Sequence, residues 1–226
     1  MGLAAWKLTR APAGTSLAVV VKVASTSGAS ATVMLSVADA IMNNGKAGLI
    51  DLNLLQDQKV LWASSFPYDQ ADYTSYILQA GPKQGQSLDE VKDLLLAQLD
   101  LLRKGEWDES LLTAGIANYK LQVQSMLEDN ESRAELFVQS FVNGMNWADM
   151  VNRVERMEKI TKADVVEFAN KYLKDNNYAV VYKRQGQDPN EKKIAKPTIT
   201  PIMTNRDTTS AFLQEIQTTA VTPIEP

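Results

Sequence analysis

One long stretch of the sequence restricts the fold more than any other feature. Residues 108–173 carry apolar side chains at helical spacing and are interrupted by short breaks such as residues 128–130 and Gly144. Segments typical of strands lie outside this stretch, at residues 6–10, 16–25, 59–67, 73–80 and 178–183. Because the helices are grouped and do not alternate with single strands, we predict an α+β domain whose antiparallel or mixed sheet is covered by helices on one face.

Turn residues and helix caps support this division. Ala-Pro-Ala-Gly at residues 11–14 and Pro-Tyr-Asp-Gln at residues 67–70 separate neighbouring strand segments. Two helix starts carry a capping box, in which a hydroxyl and an acid three residues later satisfy free N–H groups. These two pairs are Ser87 with Glu90 and Thr161 with Asp164. Further helices are predicted for residues 31–42, for residues 48–57 and, without a break, for residues 147–159.

The last part of the chain has a different composition. Residues 186–226 contain five of the eight prolines and many threonines, with little hydrophobic periodicity. We therefore predict one folded domain over residues 1–185 and an extended tail or inter-domain linker over residues 186–226. A short helix is predicted within the tail, at residues 210–217.

The sequence contains neither cysteine nor histidine. Catalytic zinc sites in proteins nearly always include histidine, and the Ser-His-Asp and Cys-His mechanisms also need imidazole. These classes of active site are therefore excluded for this chain, and we predict that it is no enzyme by itself and binds no cofactor. Its net charge is −4, with scattered basic residues, which argues against a nucleic-acid partner. No apolar segment is long enough to predict a membrane span.

Several segments, taken in order, resemble one half-unit of the insulinase/pitrilysin (inverted-zincin) family of zinc peptidases. Residues 43–60 resemble the glycine-rich turn and following helix of that family, and residues 101–111 resemble a junction between two of its helices. Residues 160–165 and 178–183 resemble its closing helix and strand. The resemblance covers about residues 5–185 and is best to the second domain of such proteins, which usually lacks metal.

The resemblance implies a role that depends on other domains. Family members hold zinc in a first domain through His-x-x-Glu-His and a downstream Glu, and this sequence cannot supply those ligands. Active members often also present an Arg-Tyr pair, whose positions fall near Ser75 and Gln86 here, and neither residue matches. By resemblance, the chain is a non-catalytic domain of a multi-domain zinc metalloendopeptidase that forms part of the substrate chamber and assists peptide binding.

The same resemblance implies the partners and the compartment. The expected partners are the catalytic zinc-binding domain of the same protein and a peptide or unfolded polypeptide, with zinc located in that other domain. Bacterial relatives suggest the periplasm or cell envelope. Two alternatives stay open: a structural or assembly scaffold domain with no peptidase role, and an unrelated α+β binding module.

One candidate contact surface follows from the residues themselves. Trp62, Tyr73 and Tyr76 lie on neighbouring predicted strands, and aromatic side chains at a strand edge are suited to peptide addition. Packing in the core is the alternative for each of them. We predict a peptide-contacting strand edge at these three residues.

Overall fold

The computed structural model describes residues 15–23, 29–70, 73–186, 195–200 and 208–219. By its contacts the chain divides into residues 1–186 and residues 187–226. The predicted strand at residues 6–10 lies outside the described residues.

Four strands of the first unit form one antiparallel sheet. They are β1 (Ser16–Val23), β2 (Trp62–Asp69), β3 (Thr74–Gly81) and β4 (Tyr178–Lys183). Their order across the sheet is β2-β3-β1-β4, and every neighbouring pair is antiparallel. Val19 illustrates the register, because it lies opposite Leu78 of β3 and Val180 of β4. The predicted α+β class with an antiparallel sheet is confirmed.

Seven helices accompany the described part of this sheet. They are α1 (Ala29–Met42), α2 (Leu88–Lys104), α3 (Ser110–Glu128), α4 (Asn130–Val142), α5 (Trp147–Val151), α6 (Arg153–Met157) and α7 (Lys162–Tyr172). Contacts join α1 to β2, α2 to β1 and β3, and α7 to β1. Helices α3 and α6 pack on α1. The sheet therefore has one face covered by α1, α2 and α7, with further helices outside that layer.

The core lies between the sheet and these three helices. Successive side chains of a strand point to opposite faces, so every second residue of β1 faces the helices. Those residues are Leu17, Val19, Val21 and Val23, and all of them are buried. Helix α2 contributes Val91, Leu95, Leu99 and Leu102 at helical spacing, and these side chains are buried too. The hydrophobic periodicity of the sequence thus positions both layers.

Both predicted capping boxes are present. At α2, the Ser87 hydroxyl accepts from Glu90 N, and the Glu90 carboxylate accepts from Ser87 N. Thr161 and Asp164 make the same exchange at α7. Helix α2 ends at Gly105, whose φ of 70° is left-handed and favours glycine.

Two helix predictions differ from the structure in detail. The short helix predicted over residues 48–57 is present, but only residues 49–50 are α-helical and residues 51–56 form a π-helical turn. The continuous helix predicted for residues 147–159 is two short helices, α5 and α6, which meet at Asn152. Asn152 serves as the C-cap of the first and the N-cap of the second.

The second unit contains one helix among its described residues, α8 (Ala211–Thr218). The Ser210 hydroxyl accepts from Leu213 N and caps it, which confirms the predicted short helix to within one residue. Across the described parts of the chain, no helix is sufficiently long and apolar to cross a bilayer.

Candidate functional site

The second face of the sheet differs from the covered one. Strand pairing brings Ala179, Val20, Ile77 and Phe66 into one row across all four strands. These residues alternate with the core residues, so their side chains point away from α1, α2 and α7. Together with their neighbours on the same face they form what we call the open face; these neighbours are Ala18, Lys22, Trp62, Ser64, Tyr68, Ser75, Gln79 and Val181.

Aromatic side chains line the β2 side of the open face. Trp62, Phe66 and Tyr68 are separated by even numbers of residues and therefore share this face. Their exposed fractions are 39%, 37% and 53%, respectively. The Trp62 indole lies over Gly81, because a Cβ at Gly81 would come within 2.2 Å of the Trp62 Nε1 atom. Because Gly81 has no side chain, it leaves room for the Trp62 indole on the surface of the sheet.

The three predicted contact residues have different surroundings. Trp62 lies on β2, an edge strand of the described sheet, and is partly exposed. Tyr73 precedes β3 at the other end of the β2-β3 hairpin, with the Lys22 Nζ atom 5.1 Å from its ring centre. Tyr76 has no exposed surface and points into the helix layer. A residue without exposed surface has nothing to offer a peptide, so Tyr76 leaves the set of candidates, and Trp62 and Tyr73 stay predictions.

The backbone of β2 offers few groups for strand addition. Gln70 N donates to Tyr73 O, and the alternation of antiparallel bonds from this pair directs the backbone of residues 63, 65, 67 and 69 outward. Pro67 has no N–H to donate. The outward N–H group of Ser65 is already bonded, because it donates to the side-chain oxygen of Asn43 at 3.1 Å. The Asn43 side-chain nitrogen in turn donates to Asp51 Oδ1 at 3.0 Å. Among these outward N–H groups, those of Ala63 and Asp69 are left for a peptide.

Asp51 holds the segment that carries Asn43. Its Oδ2 atom accepts from the backbone N–H groups of Asn44, Gly45 and Gly48, at 2.9, 3.0 and 2.9 Å. The side chain is buried, with 4% of its residue surface exposed. Gly48 is required here, because a Cβ at this position would lie 2.6 Å from the Met42 carbonyl oxygen. The carboxylate therefore fixes the turn between α1 and the π-helical turn.

A second carboxylate connects α1 to the sheet. The Asp39 Oδ1 atom accepts from the Ser65 hydroxyl at 2.6 Å and from the Tyr76 hydroxyl at 3.0 Å. Burial raises the pKa of Asp39 to about 6, although the two hydroxyl donors act in the opposite direction. Burial likewise holds the pKa of Tyr76 well above its ordinary value. This contact explains why Tyr76 is in the core.

Several residues of this region were missed by the sequence reasoning. The strand edge proposed from the sequence ran from Trp62 to Phe66 and left out Tyr68, although the two-residue alternation that begins at Trp62 includes it. Asp39 also carried a signal, because it is the only charged residue in α1. The Asn43 contact with Ser65 had no signal, since it joins residues far apart in sequence.

The chain offers no zinc site of the kind its resemblance implies for active domains. Across residues 15–23, 29–70, 73–186, 195–200 and 208–219, no three His, Cys, Asp or Glu side chains are placed to hold a metal ion. Histidine and cysteine do not occur anywhere in the sequence. Because the available residues do not fit zinc, no hydrolytic step is assigned to this chain.

Comparison with known proteins identifies the fold. No family model matches this sequence, and no curated protein matches it. Among solved structures, the inactive peptidase domain of a proposed zinc protease from Bordetella parapertussis is 19% identical, with a TM-score of 0.69. That match covers 83% of this chain and 99% of the Bordetella chain.

Two longer proteins share the same fold. A protease from Helicobacter pylori is 21% identical, with a TM-score of 0.70, and the match covers 77% of this chain and 41% of that one. A proposed M16-like peptidase from Alicyclobacillus acidocaldarius is 13% identical, with a TM-score of 0.62, covering 76% and 41%. The chain thus has the fold of these peptidase domains and spans less than half the length of the two longer proteins. The fold expected from the resemblance is confirmed.

Proposed function

We propose that this chain is a non-catalytic domain of a multi-domain zinc metalloendopeptidase, where it forms part of the substrate chamber and assists peptide binding. The observation that carries the proposal is the open face, a sheet surface that no described helix covers and that partly exposed aromatic side chains line, on a fold shared with an inactive peptidase domain. The absence of histidine and cysteine from the sequence agrees with a zinc site in another domain.

The dimensions of the open face suit an extended chain. Six residues separate Trp62 from Tyr68, which corresponds to about 20 Å at the rise of a β-strand. An extended peptide lying along β2 would place every second side chain against this aromatic line. Because Asn43 and Pro67 restrict backbone pairing, we infer that side-chain contacts contribute more than strand addition.

In this role the chemistry of the domain is indirect. A surface that holds a peptide in one extended conformation lowers the entropic cost of placing a scissile bond at a site elsewhere. The partners under this proposal are a catalytic zinc-binding domain of the same protein and a peptide or unfolded polypeptide. A location in the periplasm or cell envelope is proposed on the resemblance alone.

A scaffold role has one observation in its favour. Helices α4 and α5 carry several exposed apolar side chains, namely Phe137, Val138, Phe141, Val142, Trp147 and Val151. Apolar patches of this kind mark surfaces that pack against other proteins. If the domain serves assembly, these residues would be buried by a partner and the open face would bind nothing.

Binding of an unfolded polypeptide separates the two roles. The test uses the purified 226-residue chain with reduced, carboxymethylated α-lactalbumin, measured by calorimetry. Phe66→Ala on the open face should weaken binding by about fivefold or more, since exposed aromatic anchors contribute about 1 kcal/mol or more. Phe141→Ala is the matched control, because Phe141 is 88% exposed and lies on α4.

Two results would overturn the proposal that this chain is a non-catalytic, peptide-binding domain. Equal affinity of the Phe66 variant and the native chain would remove the open face as a binding surface. Cleavage of the polypeptide by the purified chain, abolished by a chelator and restored by zinc, would show that it is a catalytic domain after all. Loss of binding in the Phe141 variant alone would favour the scaffold role.

A further inference from the structure

A cleft lies on the helical side of the molecule, away from the open face. It opens between α1, α3 and the end of β2 and has a volume of about 530 Å³. Its lining combines polar and apolar side chains, including Asp39, Lys46, Pro67, Asn118, Tyr119 and Gln122. A volume of this size is that of a small-molecule site.

The floor of the cleft is set by the close approach of two helices. Gly115 of α3 faces Ala40 of α1, and a Cβ at Gly115 would lie 2.9 Å from the Ala40 Cβ atom. Both residues line the cleft. Small residues at this crossing bring α3 close to α1, so that the larger side chains beside them form the walls.

The Asp39 carboxylate has one oxygen engaged and one free. Both hydrogen bonds, from Ser65 and Tyr76, reach Oδ1. Within the described part of the chain, Oδ2 accepts no hydrogen bond, and no lysine or arginine nitrogen lies within 4 Å of the carboxylate. A carboxylate that is largely removed from water is stabilised when a cation binds next to it.

Two cationic side chains lie near the cleft, and neither pairs with Asp39. The Arg153 Nη2 atom of α6 donates to Ser36 Oγ at 2.6 Å, and its guanidinium carbon lies 5.6 Å from the Tyr119 ring centre. Lys46 belongs to the exposed turn after α1 and forms no ion pair with any described residue. Neither side chain neutralises Asp39.

The acidic neighbours do not compete for the same ligand. Asp51, on the π-helical turn, accepts from three backbone N–H groups and from Asn43. Asp69, at the end of β2, accepts from the Thr74 hydroxyl. The phenols of Tyr76 and Tyr119 complete the titratable groups around Asp39 and are neutral at physiological pH, since burial raises the pKa of both. Asp39 is therefore the anionic group that faces the cleft.

We propose that this cleft binds an organic ammonium ion, whose charged group lies against Asp39 Oδ2 and whose alkyl part packs on Pro67, Tyr119 and Leu121. Hard metal ions prefer six or more oxygen ligands, and this lining supplies one free carboxylate oxygen. The inference is independent of the peptide-binding role of the open face.

The test measures binding of n-butylammonium chloride to the full chain by calorimetry at pH 7.5. Asp39→Asn should weaken binding by about tenfold or more, because a charge-assisted contact is lost. The variant keeps Oδ1 as the acceptor for Ser65 and Tyr76, so the fold is preserved. n-Butanol, which has the same alkyl part without the charge, should bind at least as weakly to the native chain as the cation does to the variant.

Two further variants keep the proposal testable if Asp39→Asn perturbs folding. Gln122→Trp, at an exposed position, fills the cleft and should abolish binding while leaving Asp39 intact. Lys46→Ala removes a like charge from the rim and should strengthen binding by about twofold. Affinity should also fall about tenfold between pH 7 and pH 5, since the Asp39 pKa is about 6 and protonation removes the negative charge.

Two peptides distinguish the source of the ammonium group. Acetyl-Ala-Ala-Lys-Ala-Ala-amide competes with n-butylammonium if the cleft takes a lysine side chain of a polypeptide, whereas the norleucine counterpart does not. If neither peptide competes, the cleft takes free amines only. Competition by the lysine peptide alone and lack of competition by both peptides each support the site. Equal affinities for n-butylammonium and n-butanol, or unchanged affinity in the Asp39 and Gln122 variants, would overturn it.

Discussion

The two faces of the sheet are built from the same four strands but differ in the type and burial of their side chains. On the covered face, β1 and β3 contribute aliphatic residues such as Leu17, Val19 and Leu78, which the helices bury. On the open face, the same two strands carry a mixture of small, polar and half-buried aliphatic side chains, and β2 adds three partly exposed aromatic ones. The comparison shows that stability is concentrated on one side, which leaves the other side free to carry binding residues.

Leu78 and Ile77 test this comparison most directly, because they are adjacent in β3 and point to opposite faces. Leu78→Ala should lower the free energy of unfolding by about 2–5 kcal/mol, since it leaves a cavity in a fully buried site. Ile77→Ala, at a half-buried site, should cost about 1 kcal/mol. Urea denaturation measures both. Equal losses would mean that the open face is packed like the covered one.

Asp51 tests whether polar groups also stabilise the covered side. Asp51→Ala removes the acceptor of three backbone N–H groups, of which the Gly48 group is buried. We expect a loss of about 3 kcal/mol in urea denaturation, because buried donors without partners are costly. Asp57→Ala is the control, since the Asp57 ion pair with Lys59 is exposed and should contribute less than about 1 kcal/mol. A similar loss in both variants would contradict this assignment.

We expect Asp39 to make the free energy of unfolding depend on pH. Its pKa is about 6 in the folded chain and about 3.8 without burial, so the folded state retains the proton over this interval while the unfolded state releases it. Stability should therefore fall as the pH rises from about 4, by roughly 2–3 kcal/mol, and the loss should be complete once the pH passes 6. Urea denaturation at pH 4, 5, 6, 7 and 8 measures this decrease.

Two features make the Asp39 measurement clean. The chain contains no histidine, the side chain whose ordinary pKa lies in this interval. Hydrogen bonds lower the pKa of several exposed carboxyls, whose effect on stability therefore appears at more acidic pH; these are Asp89, Asp108, Asp129 and Asp164. Asp39→Asn should be nearly insensitive to pH between 5 and 7. A variant that retains the decrease would assign it to another group.

The smallest predicted change in stability is at Gly81, which pairs with Trp62 on the open face. Gly81→Ala should displace the Trp62 indole, because the new Cβ would meet its Nε1 atom. The indole can rotate toward solvent, so the loss of stability should be about 1 kcal/mol or less. Acrylamide quenching of tryptophan fluorescence should increase. The same substitution in a Trp62→Phe background should leave quenching unchanged, and an equal increase there would place the effect elsewhere.

Much of the architecture was predictable because it depends on local patterns. The alternation in β1, the capping box at Ser87 and the left-handed position at Gly105 each involve residues close in sequence. The strand at residues 178–183 was predicted with its observed limits for the same reason. Periodicity and caps are set by neighbours, so a single sequence contains the information.

The errors have two different origins. At the π-helical turn, the Asp51 carboxylate accepts from N–H groups of the preceding turn, an arrangement that helical periodicity alone does not reveal. Tyr76 was predicted as a peptide contact at a strand edge, with packing in the core as the alternative. Its hydroxyl instead meets Asp39, 37 positions earlier in the sequence, which no local pattern reveals.

The amide of Asn43 and the ring of Pro67 have a consequence for how the molecule behaves in concentrated solution. An exposed strand with all its backbone groups free is a template on which other extended chains stack into fibrils. Here two of the four outward positions of β2 are unable to propagate such a ladder. Under the proposed function, an unfolded polypeptide held beside β2 is therefore less able to extend the sheet from this edge into a fibril.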